Sequence, residues 1–252
     1  METSDYFNTP DYLDYLKLHC GVDNTEAKGR VAGSDLALAV IGLMEIQPKA
    51  TVLEIGCGVG RILNLIQSEF AADVFGSDIS RPAIDYLRFT VPELIGRVHC
   101  CPSDKLDFLP FSSVDHVVTW GVFELTDQRR TLVEISRVLR RGGRALLGSV
   151  KSRDYLADDE DSRAAHAAYV KKAIPISFTD VSGLEALIAF LGLRVVKRVV
   201  FDYKRDVTAG QYRVDQGGSC NFAEAMYIVE KMDETPLSRD VNVEPALVER
   251  FV

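Results

Sequence analysis

Three glycines at alternate positions form the segment of the sequence with the clearest chemical meaning. Gly56, Gly58 and Gly60 follow the short apolar run 51–55 and precede a helix with one apolar face. Glycine permits tight turning of the backbone and leaves room for a ligand against the main chain. The pattern therefore predicts a loop that binds a nucleotide-like ligand at the start of a helix.

The spacing of these glycines argues against two common nucleotide loops. The dinucleotide fingerprint Gly-x-Gly-x-x-Gly requires glycine or alanine at position 61, where this chain has Arg61. A phosphate-binding P-loop requires Gly-Lys followed by Ser or Thr, which the sequence lacks. A nicotinamide-dependent dehydrogenase and a P-loop enzyme are therefore disfavoured.

Asp78 is the second candidate site residue. It follows Gly56 by 22 residues and closes the next apolar strand. A carboxylate there can accept hydrogen bonds from both hydroxyls of a ribose. The alternative interpretation is that Asp78 caps the helix that begins near Ser80.

Strands and helices must alternate to position these residues. The pattern predicts strands at 51–55, 73–77, 97–101, 114–120, 144–150, 195–201 and 222–229. It predicts helices at 34–46, capped by Ser34, at 61–67, 80–89 and 128–140, the last ended by Gly142-Gly143, and at 158–172. A capping box at 182–185 should start one more helix, which Gly192 ends. Such alternation indicates an α/β fold with a mostly parallel sheet, helices on both faces, and a ligand at the carboxyl ends of the strands.

Five ordered segments within residues 34–150 resemble the class I S-adenosylmethionine-dependent methyltransferases. They are the loop 54–60, the acidic end of the second strand at Asp78, Ser103-Asp104 followed by Leu109-Pro110-Phe111, the fourth-strand segment 115–124, and the turn 139–143. The resemblance implies a Rossmann-like methyltransferase fold with a seven-stranded sheet whose last strand is antiparallel. It also implies S-adenosylmethionine as the cofactor.

The resemblance also implies roles for individual residues. Glu54 is expected to organise the loop and meet the methionine amino group, and Asp78 to bind the ribose hydroxyls. Ile79 is expected to pack on the adenine, and Asp104, with Lys105 beside it, to accept from the adenine amino group. The remaining implied cofactor contacts are Gly56, Cys57, Gly58, Gly60, Trp120 and Gly121. Cys57 fits the loop by its small size, and we reject it as a nucleophile.

Catalytic residues are less clearly marked. Methyl transfer is an in-line displacement in which the protein mainly aligns the reactants, and an oxygen acceptor usually needs a general base. Glu124, at the end of the fourth strand, and His166, on the predicted helix 158–172, are the candidate bases. Many relatives carry a histidine after this glutamate, where this chain has Leu125. We expect His99 and His116 to have structural roles.

The irregular segments are expected to select the acceptor. We divide the chain into an arm at 1–33, a methyltransferase domain at 34–231 and a tail at 232–252. The arm supplies a lid of Tyr6, Phe7, Tyr12 and Tyr15. An insertion at 151–177 contributes Tyr155, His166 and Tyr169, and a substrate loop at 202–221 contributes Tyr203, Lys204, Arg205, Tyr212 and Arg213. The cations of that loop either bind an anionic group of the acceptor or lie in ordinary solvated surface.

The composition limits the kinds of molecule that the protein is expected to bind. The net charge of -8, without a basic run, argues against nucleic acid, and no apolar stretch reaches the ~20 residues of a membrane span. Five cysteines without a Cys-x-x-Cys pair predict neither disulfides nor a metal site. We therefore expect a cytoplasmic enzyme that methylates a small molecule. The alternatives are an inactive methyltransferase-like scaffold and a macromolecule methyltransferase.

Overall fold

A computed structural model describes residues 5–20, 31–152, 160–172, 174, 176–215 and 222–233. Within these residues, nine strands form one sheet in the order β3-β2-β1-β4-β5-β9-β7-β8, with β6 beside β5. The strands are β1 (Thr51–Ile55), β2 (Asp73–Asp78), β3 (Val98–Cys100), β4 (Val114–Thr119), β5 (Leu139–Ser152), β6 (Phe178–Thr179), β7 (Leu193–Phe201), β8 (Arg213–Asp215) and β9 (Glu224–Lys231). This arrangement confirms the predicted α/β class.

The order of the strands in the sheet indicates where a ligand site should lie. Strands β1 to β5 run parallel, and β9 lies antiparallel between β5 and β7. The antiparallel last strand is therefore confirmed, whereas the count of seven was too low, because β6 and β8 have only two and three residues. From β1 the strand order continues toward one edge of the sheet (β2, β3), and from β4 it continues toward the other (β5). In such folds the ligand binds in the crevice at the carboxyl ends of the two strands at this switch.

Helices cover both faces of the sheet. They are α1 (Pro10–Cys20), α2 (Val31–Gly42), α3 (Arg61–Phe70), α4 (Arg81–Thr90), α5 (Gln128–Val138), α6 (Glu160–Lys171), α7 (Val181–Phe190) and α8 (Lys204–Ala209). Side chains of α2, α3 and α4 fill one core, and those of α5 and α7 fill the other. The central strands are apolar on both faces because both faces are covered. None of the described helices combines the length and hydrophobicity needed to cross a lipid bilayer.

The predicted start of α2 and the predicted end of α5 were wrong. Helix α2 begins at Val31, so Ser34 lies within it rather than at its cap. Helix α5 ends at Val138, because Leu139 is extended, fully buried and paired with Val114 at the start of β5. Gly142, at φ 75°, therefore lies within an irregular part of that strand and does not end the helix.

The predicted capping box at 182–185 does not form. Asp180 is the cap of α7, and its Oδ1 accepts a hydrogen bond from the backbone N–H of Ser182. Glu185 instead binds the buried guanidinium of Arg198 at 3.0 Å. The other end of the helix is as predicted, because Gly192 has the left-handed φ of 69° typical of a residue after a helix.

The amino-terminal arm folds onto the domain. A 3-10 turn at Asp5–Asn8 leads into α1, which packs against α4. Leu16 of α1 is buried in a small cluster with Val59 of the glycine loop and Ala83 of α4. The backbone N–H of Arg81 also donates to the Asn8 side chain at 3.1 Å. The arm thus lies over the carboxyl ends of the parallel strands.

Candidate functional site

Two adjoining cavities lie at the carboxyl ends of β1, β2 and β4. The first, of about 160 Å³, lies between Asp78 and Asp104. The second, of about 540 Å³, extends from the glycine loop past Trp120 to the end of α6. Both cavities are lined by Phe7, Tyr12, Gly56, Val122 and Leu125. The glycine loop therefore borders a continuous crevice with two chambers.

The conformation of the loop depends on glycine. Gly56 has φ 77°, in the left-handed region that side chains rarely adopt. A Cβ at that position would also overlap the side chain of Val122, which follows β4. The backbone N–H groups of Gly56 and Cys57 both donate to the carbonyl oxygen of Ser77, at 2.7 and 3.0 Å. The close approach of β1, β2 and the segment after β4 thus excludes a larger residue.

Asp78 holds the loop from the neighbouring strand. Its Oδ2 accepts from the Gly58 N–H and its Oδ1 from the Ser80 N–H, both at 2.8 Å. Burial raises the pKa of this carboxyl, and hydrogen bonds from the backbone of Ser80, Gly58 and Ile79 oppose that rise. The residue that caps α4 is Ser80, whose Oγ accepts from the Ala83 N–H, and not Asp78. Each carboxylate oxygen keeps a further lone pair for a ligand in the first cavity.

Glu54 lies where the second cavity meets the glycine loop. It is buried and lines the second cavity, and its Oε2 has no hydrogen-bond partner among the described residues. Burial raises its pKa to about 8, with the Arg61 charge opposing the shift and Asp78 adding to it. Arg61, the first residue of α3, lines the same cavity. Sequence reasoning used Arg61 only to exclude a dinucleotide motif, although its place directly after the loop was a signal.

Most of the other residues that were predicted to contact the cofactor line one of the two cavities. Ile79 and Asp104 line the first cavity, and Asp104 lies 3.7 Å from the Arg130 guanidinium. Lys105 is exposed and is not among the residues that line either cavity. The residues of the predicted set that line the second cavity include Cys57, Gly58, Trp120 and Gly121, but not Gly60.

Cys57 has the environment of a structural thiol. It is buried, and burial raises its pKa well above the ordinary range. Because the thiolate is the nucleophilic form, this environment agrees with its rejection as a nucleophile.

Neither candidate base lines the crevice. Glu124 is buried, and its Oε1 accepts from the Lys151 ammonium at 3.0 Å. The same ammonium lies 3.5 Å from Glu224, which accepts from the Ser149 hydroxyl. Burial raises the pKa of Glu124, and the Lys151 charge opposes the shift. Glu124 therefore does not line the crevice as expected, because the end of β5, paired with the start of β9, provides Lys151 as a buried partner instead.

His166 also points elsewhere. Its ring packs against Phe178 of β6 with the centroids 5.4 Å apart. Tyr169, three residues further along α6, lines the second cavity instead, together with Ala168 and Lys172. Burial raises the pKa of the Tyr169 hydroxyl above its ordinary value, and the nearby Glu124 charge adds to the rise. Sequence reasoning named Tyr169 in the insertion but gave Lys172 no role.

The aromatic arm lines the crevice, and the described residues of the predicted substrate loop do not. Tyr6, Phe7, Tyr12 and Tyr15 all line the second cavity. The described residues of 202–215 form α8 and the edge strand β8, and none of them lines either cavity. Arg213 pairs there with Asp202 at 3.2 Å. Tyr155, residues 216–221, the tail beyond 233 and the side chains of Lys204 and Arg205 lie outside the described part of the chain.

Comparison with known proteins points to one family. A family model described as a methyltransferase domain matches residues 53–147. The chain is 24% identical over 171 residues to methyltransferase GfsG of Streptomyces halstedii, covering 66% of this chain and 60% of that protein. It is 27% identical over 138 residues to O-methyltransferase cnsE of Penicillium expansum, covering 53% and 49%. The chain thus spans less than two thirds of the length of these curated relatives.

A solved structure shares the fold. Geranyl diphosphate C-methyltransferase from Streptomyces coelicolor A3(2) superimposes with a TM-score of 0.63 at 12% identity, covering 92% of this chain and 100% of that one. That structure is a complex with Mg²⁺, geranyl diphosphate and S-adenosyl-L-homocysteine. The likeness confirms the Rossmann-like methyltransferase fold.

Proposed function

Because the chain belongs to the class I S-adenosylmethionine-dependent methyltransferase family, we propose that it binds S-adenosylmethionine in the two-chambered crevice and methylates a small molecule. The observation that carries the proposal is a pair of buried carboxylates beside the glycine loop, Glu54 at its start and Asp78 at its middle. Asp78 faces the first cavity and Glu54, with one unpartnered oxygen, faces the second. This arrangement suits a ligand with a ribose at one end and an amino group at the other.

The residues of the second cavity fit the methionine end of the cofactor. An amino acid carries an ammonium and a carboxylate, and the cavity offers Glu54 for the first and Arg61 for the second. An unsatisfied buried carboxylate oxygen is costly, so a hydrogen bond from the ligand's ammonium to the Glu54 Oε2 would be favourable. The Gly58 backbone, held by Asp78, borders the same space.

The residues of the first cavity fit the nucleoside. Asp78 would accept from the ribose hydroxyls, while Ile79 offers an apolar surface for the adenine. Asp104 would accept from the exocyclic amino group of that base. Lys105 has no part in this assignment because it lies outside the cavity lining.

The protein's contribution to the reaction is positioning and exclusion of water. When bound, S-adenosylmethionine supplies an activated methyl group on a sulfonium. The arm and α6 cover the crevice, which holds the acceptor in line and keeps solvent away. The concave shape of the second cavity and its volume of about 540 Å³ favour a compact acceptor over a macromolecule.

Thermal unfolding with separate ligands tests the proposal. S-adenosylhomocysteine and S-adenosylmethionine should raise the midpoint, since a ligand at 100 times its dissociation constant stabilises by ~2.7 kcal/mol. NAD should leave it unchanged, and Asp78→Ala should lose the response. No rise with either sulfur nucleoside at saturation would overturn cofactor binding. A rise without methyl transfer to any acceptor in a broad screen would favour the scaffold alternative.

A further inference from the structure

The outer end of the second cavity is framed by the aromatic arm and by one lysine. The Lys172 ammonium donates to the Tyr6 hydroxyl at 3.1 Å. It also lies 5.1 Å from the centre of the Tyr6 ring and 4.9 Å from that of Tyr15. Tyr6, Tyr15 and Lys172 all line the cavity. This contact joins the end of α6 to the arm across the cavity mouth.

Lys172 retains capacity to bind a ligand. An ammonium has three donors, and Tyr6 takes one of them. Within the described part of the chain, no carboxylate pairs with Lys172. The carboxylates that line the crevice are Glu54, which lies at the glycine loop, and others in the first cavity. The charge at the outer end of the second cavity is therefore positive.

The charges buried behind the wall of the second cavity do not cancel the positive charge at its outer end. Lys151 lies between Glu124 and Glu224, and all three are almost completely buried. Burial raises the pKa of Glu124, and the Lys151 ammonium offsets one of the two carboxylates, so the cluster carries at most one net negative charge. Tyr169 stands between that cluster and the cavity as a neutral hydroxyl.

The remaining lining is apolar and aromatic. Leu16, Leu125 and Ile174 provide aliphatic surface, and Trp120 and Tyr169 provide rings. An acceptor with an apolar or aromatic body would bury well against such walls. A cationic acceptor is disfavoured there, because the Lys172 ammonium already lies over one face of Tyr6 and of Tyr15 and would repel a second cation.

We propose that Lys172 selects the acceptor by binding an anionic oxygen group, a carboxylate or a phenolate, carried on an apolar or aromatic body. This inference rests on the proposed function and names its substrate class. The anion binds the free donors of the ammonium while Tyr6 keeps the third. Acceptor binding and closure of the arm over the crevice therefore support each other.

The single tryptophan of the chain makes the test direct. Trp120 lines this cavity, so its fluorescence reports what enters. The protein is first saturated with S-adenosylhomocysteine, whose binding is verified by the thermal shift. It is then titrated with 3-phenylpropionate, the matched 3-phenylpropanamide and the cation 2-phenylethylamine, with 4-nitrophenolate followed by calorimetry. The first and last probes distinguish carboxylate from phenolate recognition.

At least one anion should bind about tenfold or more tightly than the amide, as a charged hydrogen bond can provide. The amine should bind more weakly than the amide. Lys172→Gln should abolish the preference for the anion, and Lys172→Arg should retain it. Lys171→Gln removes the same charge from the adjacent exposed position, which does not line the cavity, and should change nothing.

The two proposals fail in different ways. If wild-type protein does not bind S-adenosylhomocysteine, the proposed function is wrong. If it binds S-adenosylhomocysteine but the amide or the amine binds as tightly as both anions, the role of Lys172 is overturned and the proposed function stands. The same holds if Lys172→Gln keeps the anion preference, or if neither anion binds at millimolar concentration.

Discussion

The Oδ2 atom of Asp78 accepts a hydrogen bond at 2.8 Å from the backbone N–H of Gly58. This bond joins the end of β2 to the middle of the glycine loop, 20 residues earlier in the chain. It gives one carboxylate two tasks, since the same group that shapes the loop also faces the first cavity. Loss of the carboxylate should therefore affect both folding and ligand binding.

Asp78→Asn should show what the carboxylate of Asp78 contributes, because asparagine has nearly the same shape but carries no charge. The amide nitrogen would face one of two backbone N–H groups, at Gly58 or Ser80, and leave that buried donor unsatisfied. We expect the free energy of unfolding to fall by about 1–3 kcal/mol. Affinity for S-adenosylhomocysteine should fall about tenfold or more. Urea unfolding and calorimetry measure the two effects.

Asp73→Asn is the matched control. Asp73 begins the same strand, but its side chain is 60% exposed and lies 3.6 Å from Arg97. An exposed ion pair contributes little, so stability should change by less than about 1 kcal/mol and affinity not at all. Unchanged affinity in Asp78→Asn would contradict the assignment of the ribose site.

Gly56→Ala should disrupt the loop. The new methyl group would meet the Val122 side chain, with Cγ1 at 2.7 Å, in a backbone conformation at φ 77° that alanine disfavours. Overpacking and strain together should cost about 2–4 kcal/mol and abolish the thermal response to S-adenosylhomocysteine. Gly42→Ala is the control, because a methyl group at the end of α2 meets nothing within 4 Å. It should be neutral or slightly stabilising, and equal effects of the two variants would refute the steric argument.

Glu54 should make stability depend on pH. Its pKa is about 8 in the folded chain against an ordinary 4.5, so the folded state holds a proton that the unfolded state has lost between these values. Stability is therefore greatest below about pH 4.5 as far as this group is concerned, and it declines as the pH rises toward 8. The decline is at most about 1.4 kcal/mol per pH unit.

Glu54→Gln should remove that decline. The difference in unfolding free energy between variant and wild type should grow from pH 5 to pH 8, as measured by urea unfolding at each pH. Binding of the cofactor's ammonium requires the carboxylate, so wild-type affinity for S-adenosylhomocysteine should increase over the same range. Parallel pH profiles of wild type and variant would show that Glu54 does not titrate there.

The buried cluster of Glu124, Lys151 and Glu224 should be structural. Lys151→Met removes the ammonium that both carboxylates contact, at 3.0 and 3.5 Å, and should cost about 3–5 kcal/mol. Glu124→Gln keeps an oxygen for Lys151 and leaves the charge of Glu224, so its cost should be less than half as large. Urea unfolding measures both. A loss of methyl transfer in a fully stable Glu124→Gln protein would restore Glu124 as a candidate base.

Predictions from local sequence patterns were reliable where the residues of a single segment determine its structure. The buried strands β1, β2 and β4 and the cap of α4 at Ser80 follow from apolar runs and turn residues. Boundaries failed where tertiary burial competed with local preference. Leu139 continues a helical pattern, yet it joins β5 because pairing with Val114 buries it completely.

The acceptor side of the site could not be predicted in the same way. Helix α6 has few large apolar residues to define an inward face, so the sequence did not distinguish His166 from Tyr169 and Lys172. Packing of His166 against Phe178 sets the rotation of the helix and turns Tyr169 toward the cavity. Glu124 was expected at the site from its position after β4, and only the neighbouring strands show that Lys151 holds it.

The sequence by itself determined the α/β class, the glycine loop and the carboxylates around it. These features depend on spacing along a few adjacent residues and on the fixed edge at which parallel strands end. Only the tertiary structure decided which side chains from distant segments meet. The contact of Lys172 with Tyr6, 166 residues apart, depends on how the arm and α6 both pack over the sheet, and no local pattern encodes that distance.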